Sequence, residues 1–235
     1  MELQHKHGMR KIEIIEENRV FNSYFKVDEA LVSHTLPDGK RSNYIRMRLD
    51  RPNASVILLY NPRKDVVILV KQFRYPVLEE IKKSGGNIET GVLEAVAGKI
   101  DEGETPREAA LRELTEEVGY KITDKRLISL SRGYSTPGYS SEIIYNFAAV
   151  VYDKDKIEKG GGKEGEFEDI EIIEMPYLQF RSLVETGSLQ DMKTRLVFYE
   201  ASHYGIFNSK IEKPKKTKPT KIDDTQLNLY GNEQN

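Results

Sequence analysis

Residues 98–120 read GKIDEGETPREAALRELTEEVGY and hold the most informative pattern of the chain. Thr105, Pro106 and Glu108 carry three signals of a helix start: an N-cap, a first-turn proline and a capping-box partner. Gly119 is typical of the position just beyond a helix, because glycine adopts the left-handed conformation without strain. The stretch therefore predicts a helix that begins after Thr105 and stops at Gly119.

Three glutamates crowd one side of this predicted helix. Glu113, Glu116 and Glu117 lie within four positions of one another, and like charges at this spacing repel by about 0.2–0.5 kcal/mol per exposed pair. A chain that concentrates them is expected to place a cation there, and carboxylate oxygens suit Mg²⁺ or Mn²⁺. Apolar residues at helical spacing predict the face that packs inward: Ala110, Leu111, Leu114 and Val118.

Composition limits the kinds of partner. The chain has 235 residues, a formal net charge of -2 and no cysteine. This charge gives no overall attraction to nucleic acid or membranes, and the lack of cysteine excludes disulfides and thiolate metal sites. The sequence has no apolar run long enough to span a bilayer and no apolar signal core at its start. We therefore expect a cytoplasmic protein without nucleic-acid or membrane partners.

The remaining segments predict the domain organisation. Alternating β-forming stretches predict an antiparallel three-stranded unit at 11–21, 24–36 and 43–50. Short apolar or β-rich runs predict further strands at 55–60, 66–70, 93–97, 121–131, 142–152 and 170–175. Two later helices are predicted at 177–186 and 194–204, anchored by Leu178, Leu183, Val184, Leu196, Val197 and Tyr199. We divide the chain into an N-terminal β subdomain (1–50), a main domain (51–207) and a disordered basic and polar tail (208–235).

One glycine run leaves two interpretations open. Gly160, Gly161 and Gly162 precede an acidic segment, and three consecutive glycines give the backbone great freedom. The run is either a plain surface linker or the base of an active-site loop that closes on a substrate.

The helix and the loop before it match a known motif. In the Nudix box a glycine is followed after five residues by Glu, and after seven more by Arg-Glu-aliphatic-x-Glu-Glu-x-Gly. Those positions are filled here by Gly98, Glu104, Arg112, Glu113, Leu114, Glu116, Glu117 and Gly119, with Tyr120 where an aliphatic residue is usual. The chain resembles the nucleotide-sugar branch of the Nudix hydrolases, which includes GDP-mannose and ADP-ribose pyrophosphatases, over about residues 12–205. Further marks of this resemblance are LLYN at 58–61, QFR at 72–74, TPG at 136–138, the triple glycine, EDIE at 168–171 and DMKT at 191–194.

The resemblance implies both a fold and an activity. The expected fold is an α/β/α Nudix sandwich with a mixed sheet, joined to the N-terminal antiparallel β subdomain in a homodimer. The implied activity is Mg²⁺-dependent hydrolysis of a nucleotide sugar at its diphosphate, with GDP-mannose giving GMP and mannose 1-phosphate. ADP-ribose giving AMP and ribose 5-phosphate is the alternative, and a non-catalytic binding module on the same fold is a third reading.

The resemblance also implies roles for individual residues. Metal ligands would be the carbonyl of Ala97 and the carboxylates of Glu113, Glu116, Glu117 and Glu168. Glu116, Glu117 and Glu168 would be catalytic, with Glu168 or its neighbours Glu164 and Glu166 placing the attacking water. Substrate contacts would come from Arg74, Gly98, Glu142 and Lys193, and from Tyr24 and Arg46 on the N-terminal strands of the partner subunit. Glu104, Arg112 and Gly119 would be structural members of the box.

Overall fold

The computed structural model describes residues 11–36, 38–85, 91–162 and 169–208, which form two β-sheets. The N-terminal sheet is antiparallel and contains β1 (Lys11–Asn22), β2 (Lys26–Thr35) and β3 (Arg41–Asp50) in that order. The expected N-terminal antiparallel unit is therefore confirmed. The predicted features at residues 1–10 and in the tail beyond residue 208 lie outside the described residues.

Within the part of the chain that the structure describes, the main sheet has seven strands. They are β4 (Ala54–Asn61), β5 (Val66–Gln72), β6 (Val92–Glu94), β7 (Val96–Lys99), β8 (Leu127–Tyr134), β9 (Ile143–Val150) and β10 (Ile170–Pro176). The order is β10-β5-β4-β9-β8; β4 and β9 run parallel while the other paired strands run antiparallel. The short strand β6 pairs with β5, and the short strand β7 pairs with β4. Residues 92–99, which lead into the acidic helix, therefore lie where β4 and β5 separate from each other.

Helices cover both faces of the main sheet. They are α1 (Leu78–Lys83), α2 (Pro106–Val118), α3 (Tyr177–Glu185) and α4 (Met192–His203). Side chains alternate between the faces of a strand, so Ile57 and Leu59 of β4 pack in one core with α2. Leu58 and Tyr60 pack in the other core with α3 and α4. The expected α/β/α sandwich with a mixed sheet is confirmed, and no helix in the described ranges is long and apolar enough to cross a bilayer.

Three details of the sequence analysis are wrong. The single strand predicted at 93–97 is two short strands, β6 and β7, because the chain leaves its pairing with β5 and joins β4. The strand predicted at 121–131 begins only at Leu127, because residues 124–126 form a short 3-10 turn. Three of the predicted helix anchors are largely exposed: Leu178 (69%), Leu196 (51%) and Tyr199 (49%). The inward face of α4 is instead formed by Thr194, Val197, Phe198 and Ala201, a set spaced at helical period that includes one polar and one small residue.

The N-terminal sheet joins the main body through the end of β3. Leu49 donates its N–H to the carbonyl of Tyr139 (2.7 Å) and accepts from the N–H of Ser141 (3.1 Å). The N–H of Arg51 donates to Ser141 Oγ (3.0 Å). These bonds fix the end of β3 to the loop that leads into β9.

Buried Asp28 ties the three N-terminal strands together. Arg19 of β1 donates Nε and Nη2 to the two carboxylate oxygens (2.7 and 3.1 Å), and Arg48 of β3 donates Nη2 and Nε to Oδ2 (2.6 and 3.1 Å). Arg19 and Arg48 both stand opposite Asp28 in the strand register. Hydrogen bonds from Arg19 and then from Arg48 lower the pKa of Asp28 to about 2.

This lowered pKa predicts acid-sensitive stability. Because the folded-state pKa lies below the ordinary value of 3.8, the stability contributed by ionised Asp28 is complete above about pH 4. That contribution is lost as the pH falls through about 2. Asp28→Asn should therefore lower the urea midpoint at about pH 6, and the gap from the native chain should shrink between about pH 4 and pH 2. A gap that stays constant over this range would contradict the assignment.

Candidate active site

Helix α2 is held at both ends by the local signals expected from its sequence. Thr105 accepts the N–H of Glu108, and the Glu108 carboxylate accepts the N–H of Thr105 (2.8 Å), which completes a capping box. Gly119 ends the helix in the left-handed conformation at φ 73°. A methyl group at this position would also overlap the carbonyl of Glu158. The predicted helix bounds are confirmed, and α2 is a fixed platform for the acidic side chains.

Two glutamates of α2 are buried against the entering strand. The exposed fraction is 9% for Glu113 and 3% for Glu117. The N–H of Ala97 donates to Glu117 Oε2 (3.2 Å). Gly98 leaves room for the other carboxylate, because a Cβ at this position would overlap Glu113 Oε1. The structure therefore brings Ala97, Gly98, Glu113 and Glu117 together, as the box pattern requires.

Arg112 joins the acidic side chains to one another. Its Nη1 donates to Glu113 Oε1 (2.6 Å) and Glu116 Oε2 (3.0 Å). Its Nε and Nη2 form a two-point pair with Glu104 (2.9 Å each), and Nη2 also donates to the carbonyl of Lys99 (2.9 Å). The hydrogen bond with Glu104 raises the pKa of Arg112 and lowers that of Glu104. Arg112 thus remains charged and offsets the repulsion among the glutamates.

The donor set fits a hard divalent cation. Glu113 Oε1 and Glu116 Oε2 already converge on one cationic nitrogen, and Glu117, which accepts the Ala97 N–H, adds further carboxylate oxygen beside them on α2. Oxygen ligands are those that Mg²⁺ prefers. Among the described residues no three His, Asp or Glu side chains are arranged closely enough to coordinate one metal ion. Arg112 lies between two of the carboxylates, and the predicted ligand Glu168, with Glu164 and Glu166, falls outside the described residues.

The glycine run at 160–162 is hydrogen-bonded to the C-terminal end of α2. Gly161 donates its N–H to the carbonyl of Glu117 (2.8 Å), and Gly162 donates to that of Glu116 (3.1 Å). Gly160 has φ 71°, and a Cβ there would lie 2.7 Å from the Glu117 carbonyl oxygen. These glycines therefore satisfy carbonyls that a helix leaves without partners at its C-terminus. Residues 160–162 therefore cap the acidic helix. The acidic segment at 163–168 lies outside the described residues.

A second cluster lies at the entrance to β7. Arg74 forms a two-point pair with Glu94 through Nε (2.7 Å) and Nη2 (3.2 Å), and Lys193 Nζ approaches Glu94 Oε2 (3.4 Å). Lys193 also donates to Asp191 Oδ1 (2.6 Å). Burial lowers the pKa of Lys193, but the charges of Asp191 and Glu94 outweigh it, so the net pKa is raised. The predicted substrate residues Arg74 and Lys193 therefore meet at one carboxylate.

Three other predicted substrate residues, Tyr24, Arg46 and Glu142, have their side-chain contacts outside these clusters, whereas Gly98 lies beside Glu113. Within the described residues, the side-chain contacts of Tyr24 and Arg46 stay in the N-terminal region: Tyr24 packs on Phe25, and Arg46 stacks over Tyr44 at 4.1 Å. Glu142 stands just before β9, where Arg51 Nη2 lies 3.7 Å from its carboxylate. In the described residues of one chain, neither Tyr24 nor Arg46 has a side-chain contact with the acidic helix. Their proposed roles stay predictions.

Two polar residues of the second cluster were missed by sequence reasoning. Glu94 is only 3% exposed, and Asp191 N-caps α4 by accepting the N–H of Thr194 (2.9 Å). The signal for Glu94 was a charged residue inside the apolar run LEAVA at 93–97. A carboxylate buried in a strand requires a cationic or hydrogen-bonding partner, and that requirement could have pointed to Arg74 or Lys193.

Comparison with known proteins identifies the family of the chain. Residues 49–193 match the NUDIX domain. The GDP-mannose pyrophosphatases of Escherichia coli O139:H28 (strain E24377A / ETEC) and Shigella boydii serotype 4 (strain Sb227) are each 34% identical over 196 residues, covering 83% of this chain and 97% of theirs. The GDP-mannose pyrophosphatase of Escherichia coli (strain K12) is 33% identical over the same length.

A solved structure shares the fold. The crystal structure of an ADP compounds hydrolase superposes with a TM-score of 0.62 at 23% identity, covering 86% of this chain and 97% of that chain. The domain match spans the main sheet, α2 and the whole second cluster, and the relatives are named as pyrophosphatases. The non-catalytic reading is therefore set aside, and this chain belongs to the Nudix family as a hydrolase.

Proposed function

We propose that this Nudix hydrolase cleaves the diphosphate of a nucleotide sugar with Mg²⁺, converting GDP-mannose and water to GMP and mannose 1-phosphate. The observation that carries the proposal is a likeness to GDP-mannose pyrophosphatase that extends over 83% of the chain. It is joined by the acidic platform of α2, which consists of the carboxylates of Glu113, Glu116 and Glu117. The cytoplasmic location expected from the sequence belongs to the same proposal.

The acidic platform would hold the metal. Ala97, Glu113, Glu116 and Glu117 would supply oxygen ligands, with Glu168 as a further ligand from outside the described residues. Mg²⁺, or Mn²⁺ in its place, would neutralise charge on the diphosphate oxygens and lower the pKa of a coordinated water when bound. The protein's own part is to hold these carboxylates in a fixed arrangement through the Ala97 N–H and the guanidinium of Arg112.

The second cluster would hold the substrate. Arg74 has the planar guanidinium that suits a diphosphate, and Lys193 adds a second positive charge beside it. Glu142 would contact the substrate from the start of β9, and Gly98 from β7 beside Glu113. Both cations contact Glu94, three residues before Ala97, whose N–H contacts Glu117 of α2. A cationic cluster linked in this way to the acidic helix suits a reaction in which a metal-bound diphosphate must be held in a fixed position.

The decisive assay measures product release from GDP-mannose, ADP-ribose, UDP-glucose and a dinucleoside polyphosphate, each with Mg²⁺ and with chelator. We expect chelator-sensitive turnover of GDP-mannose ahead of the others. If ADP-ribose is turned over fastest, the alternative substrate replaces the first. The absence of turnover on all four compounds would refute the proposal.

We also propose that residues 1–50 act as a dimerisation unit ahead of the catalytic domain at 51–207. Large apolar side chains of the N-terminal region are more than half exposed in one chain: Ile12, Ile14, Ile15, Val20, Phe21, Ile45 and Met47. Ile12 and Ile14 lie on one face of the sheet, and Ile45 and Met47 lie on the other. Exposed apolar side chains in this number favour an interface. A second copy packed on this sheet would cover some of them and would allow Tyr24 and Arg46 of one chain to serve the site of the other.

Charge placed on this surface should separate the subunits. Ile45 and Met47 are each 55% exposed and point to the same side of β3, two residues apart. The double substitution Ile45→Lys/Met47→Lys should yield monomers in sedimentation equilibrium and lower turnover, because the shared site would be incomplete. Ser42→Lys, at an exposed polar position of the same strand, is the matched control and should remain dimeric. Active monomers would contradict the shared site.

A further inference from the structure

A buried carboxylate lies beneath the two cations of the second cluster. The Glu94 side chain is 4% exposed, whereas the side chains of Arg74 and Lys193 are 40% and 32% exposed. Glu94 thus occupies the floor of the cluster, and the cations extend from it toward solvent. The interior position is unusual for a glutamate.

Such a partly buried ion pair is weak evidence for stability, because the cost of removing the carboxylate charge from water offsets much of the attraction. Its geometric effect is clearer. The contact of Arg74 Nε and Nη2 with both carboxylate oxygens fixes the plane of the guanidinium. The contact with Lys193 Nζ restrains a side chain that is otherwise flexible.

The segment around Glu94 connects this cluster to the acidic helix. The N–H of Ala95 donates to Thr194 Oγ1 (2.6 Å), which in turn donates to Asp191 Oδ2 (2.6 Å) at the start of α4. Two residues further on, the N–H of Ala97 donates to Glu117 Oε2 (3.2 Å). One short stretch of backbone therefore sets the distance between the cations and the buried carboxylates of α2.

We propose that Glu94 is a positioning residue for substrate binding, whose carboxylate orients Arg74 and Lys193 to meet the diphosphate while the adjoining backbone fixes them relative to Glu117. This inference rests on the proposed function, because it takes Arg74 and Lys193 as the groups that meet the substrate. Glu94 acts through these two cations and touches no reacting atom.

Two variants test the role of Glu94 in steady-state hydrolysis of GDP-mannose with Mg²⁺. Glu94→Gln keeps the shape but removes the charge, and it should raise KM by about tenfold to a hundredfold. The expected change in kcat is less than about threefold, because an interaction made equally in ground and transition states changes KM alone. The Mg²⁺ concentration for half-maximal rate should be unchanged, since the acidic helix is not altered.

Glu94→Asp guards against a failure of the first variant to fold. It keeps the charge but is one methylene shorter, so it reaches the two cations less well, and a KM increase of about fivefold to tenfold is expected. The matched control is Glu185→Gln, which removes the carboxylate of an exposed pair with Arg181 (Nε to Oε1, 2.8 Å) and should leave KM unchanged. Thermal unfolding of each variant checks that the protein assayed is folded.

The outcomes separate the inference from the proposed function. A raised KM with retained kcat and Mg²⁺ response in a folded Glu94 variant supports the inference. A native KM in either folded variant overturns it, and so does a loss confined to kcat or to the Mg²⁺ response. A native chain that hydrolyses none of the nucleotide sugars in the panel overturns the proposed function first, and the inference with it.

Discussion

Replacing Glu117 by Gln is expected to lower kcat/KM by about 10²–10³-fold and to leave the fold intact. Glu117 is 3% exposed and accepts the Ala97 N–H at 3.2 Å, a bond that the amide oxygen of glutamine can still accept. The substitution removes a negative charge from the set formed with Glu113 and Glu116. It therefore removes a metal ligand of the proposed site and also relieves repulsion on α2.

The measurement is kcat/KM on the best substrate of the panel, with circular dichroism and a melting curve as checks of the fold. Glu102→Gln is the matched control, because Glu102 lies in the loop just before Glu104 and is exposed. It should behave as the native chain does. Full turnover by the Glu117→Gln protein would refute the metal assignment.

Adding a single methyl group at Gly98 is expected to lower kcat/KM by about a hundredfold. A Cβ at this position would overlap the Glu113 carboxylate, so the Gly98→Ala protein must move that side chain. The clashing atoms belong to the end of a flexible side chain and not to backbone. We therefore expect little change in melting temperature, with the loss confined to turnover and to its Mg²⁺ dependence.

Gly133→Ala provides the control for Gly98→Ala. Gly133 is also a strand glycine, in β8, and an added Cβ would have no atom within 4 Å. This control should retain native turnover. Native kcat/KM in the Gly98→Ala protein would show that the position of Glu113 does not matter to the reaction.

The parts of the fold that sequence reasoning predicted well depend on local signals. The bounds of α2 follow from Thr105, Glu108 and Gly119, which act on backbone groups within a few residues of themselves. The three N-terminal strands and the two strands β4 and β5 follow from short apolar or alternating runs. The acidic triad of α2 follows from helical spacing alone.

The features that were missed depend on contacts between distant segments. Arg74 meets Glu94 only because β6 pairs with the end of β5, and Lys193 joins them from a helix about a hundred residues away. Leu196 and Tyr199 looked like core residues by hydrophobicity, yet α4 buries Thr194 because its hydroxyl bonds the backbone of Ala95. Thr194 is therefore buried in preference to the larger apolar side chains, and a single sequence does not reveal its partner on Ala95.

The glycine cap on α2 couples two segments thermodynamically. The last carbonyls of the helix, on Glu116 and Glu117, are satisfied by amides of Gly162 and Gly161, and the Gly119 carbonyl accepts from Ile157 and Glu158. Lifting the glycines away would leave helix carbonyls without partners, and fraying of the helix would release the glycines. The two segments therefore share one local unfolding equilibrium, so that any event that loosens residues 160–162 also loosens the backbone that carries the proposed metal-binding carboxylates.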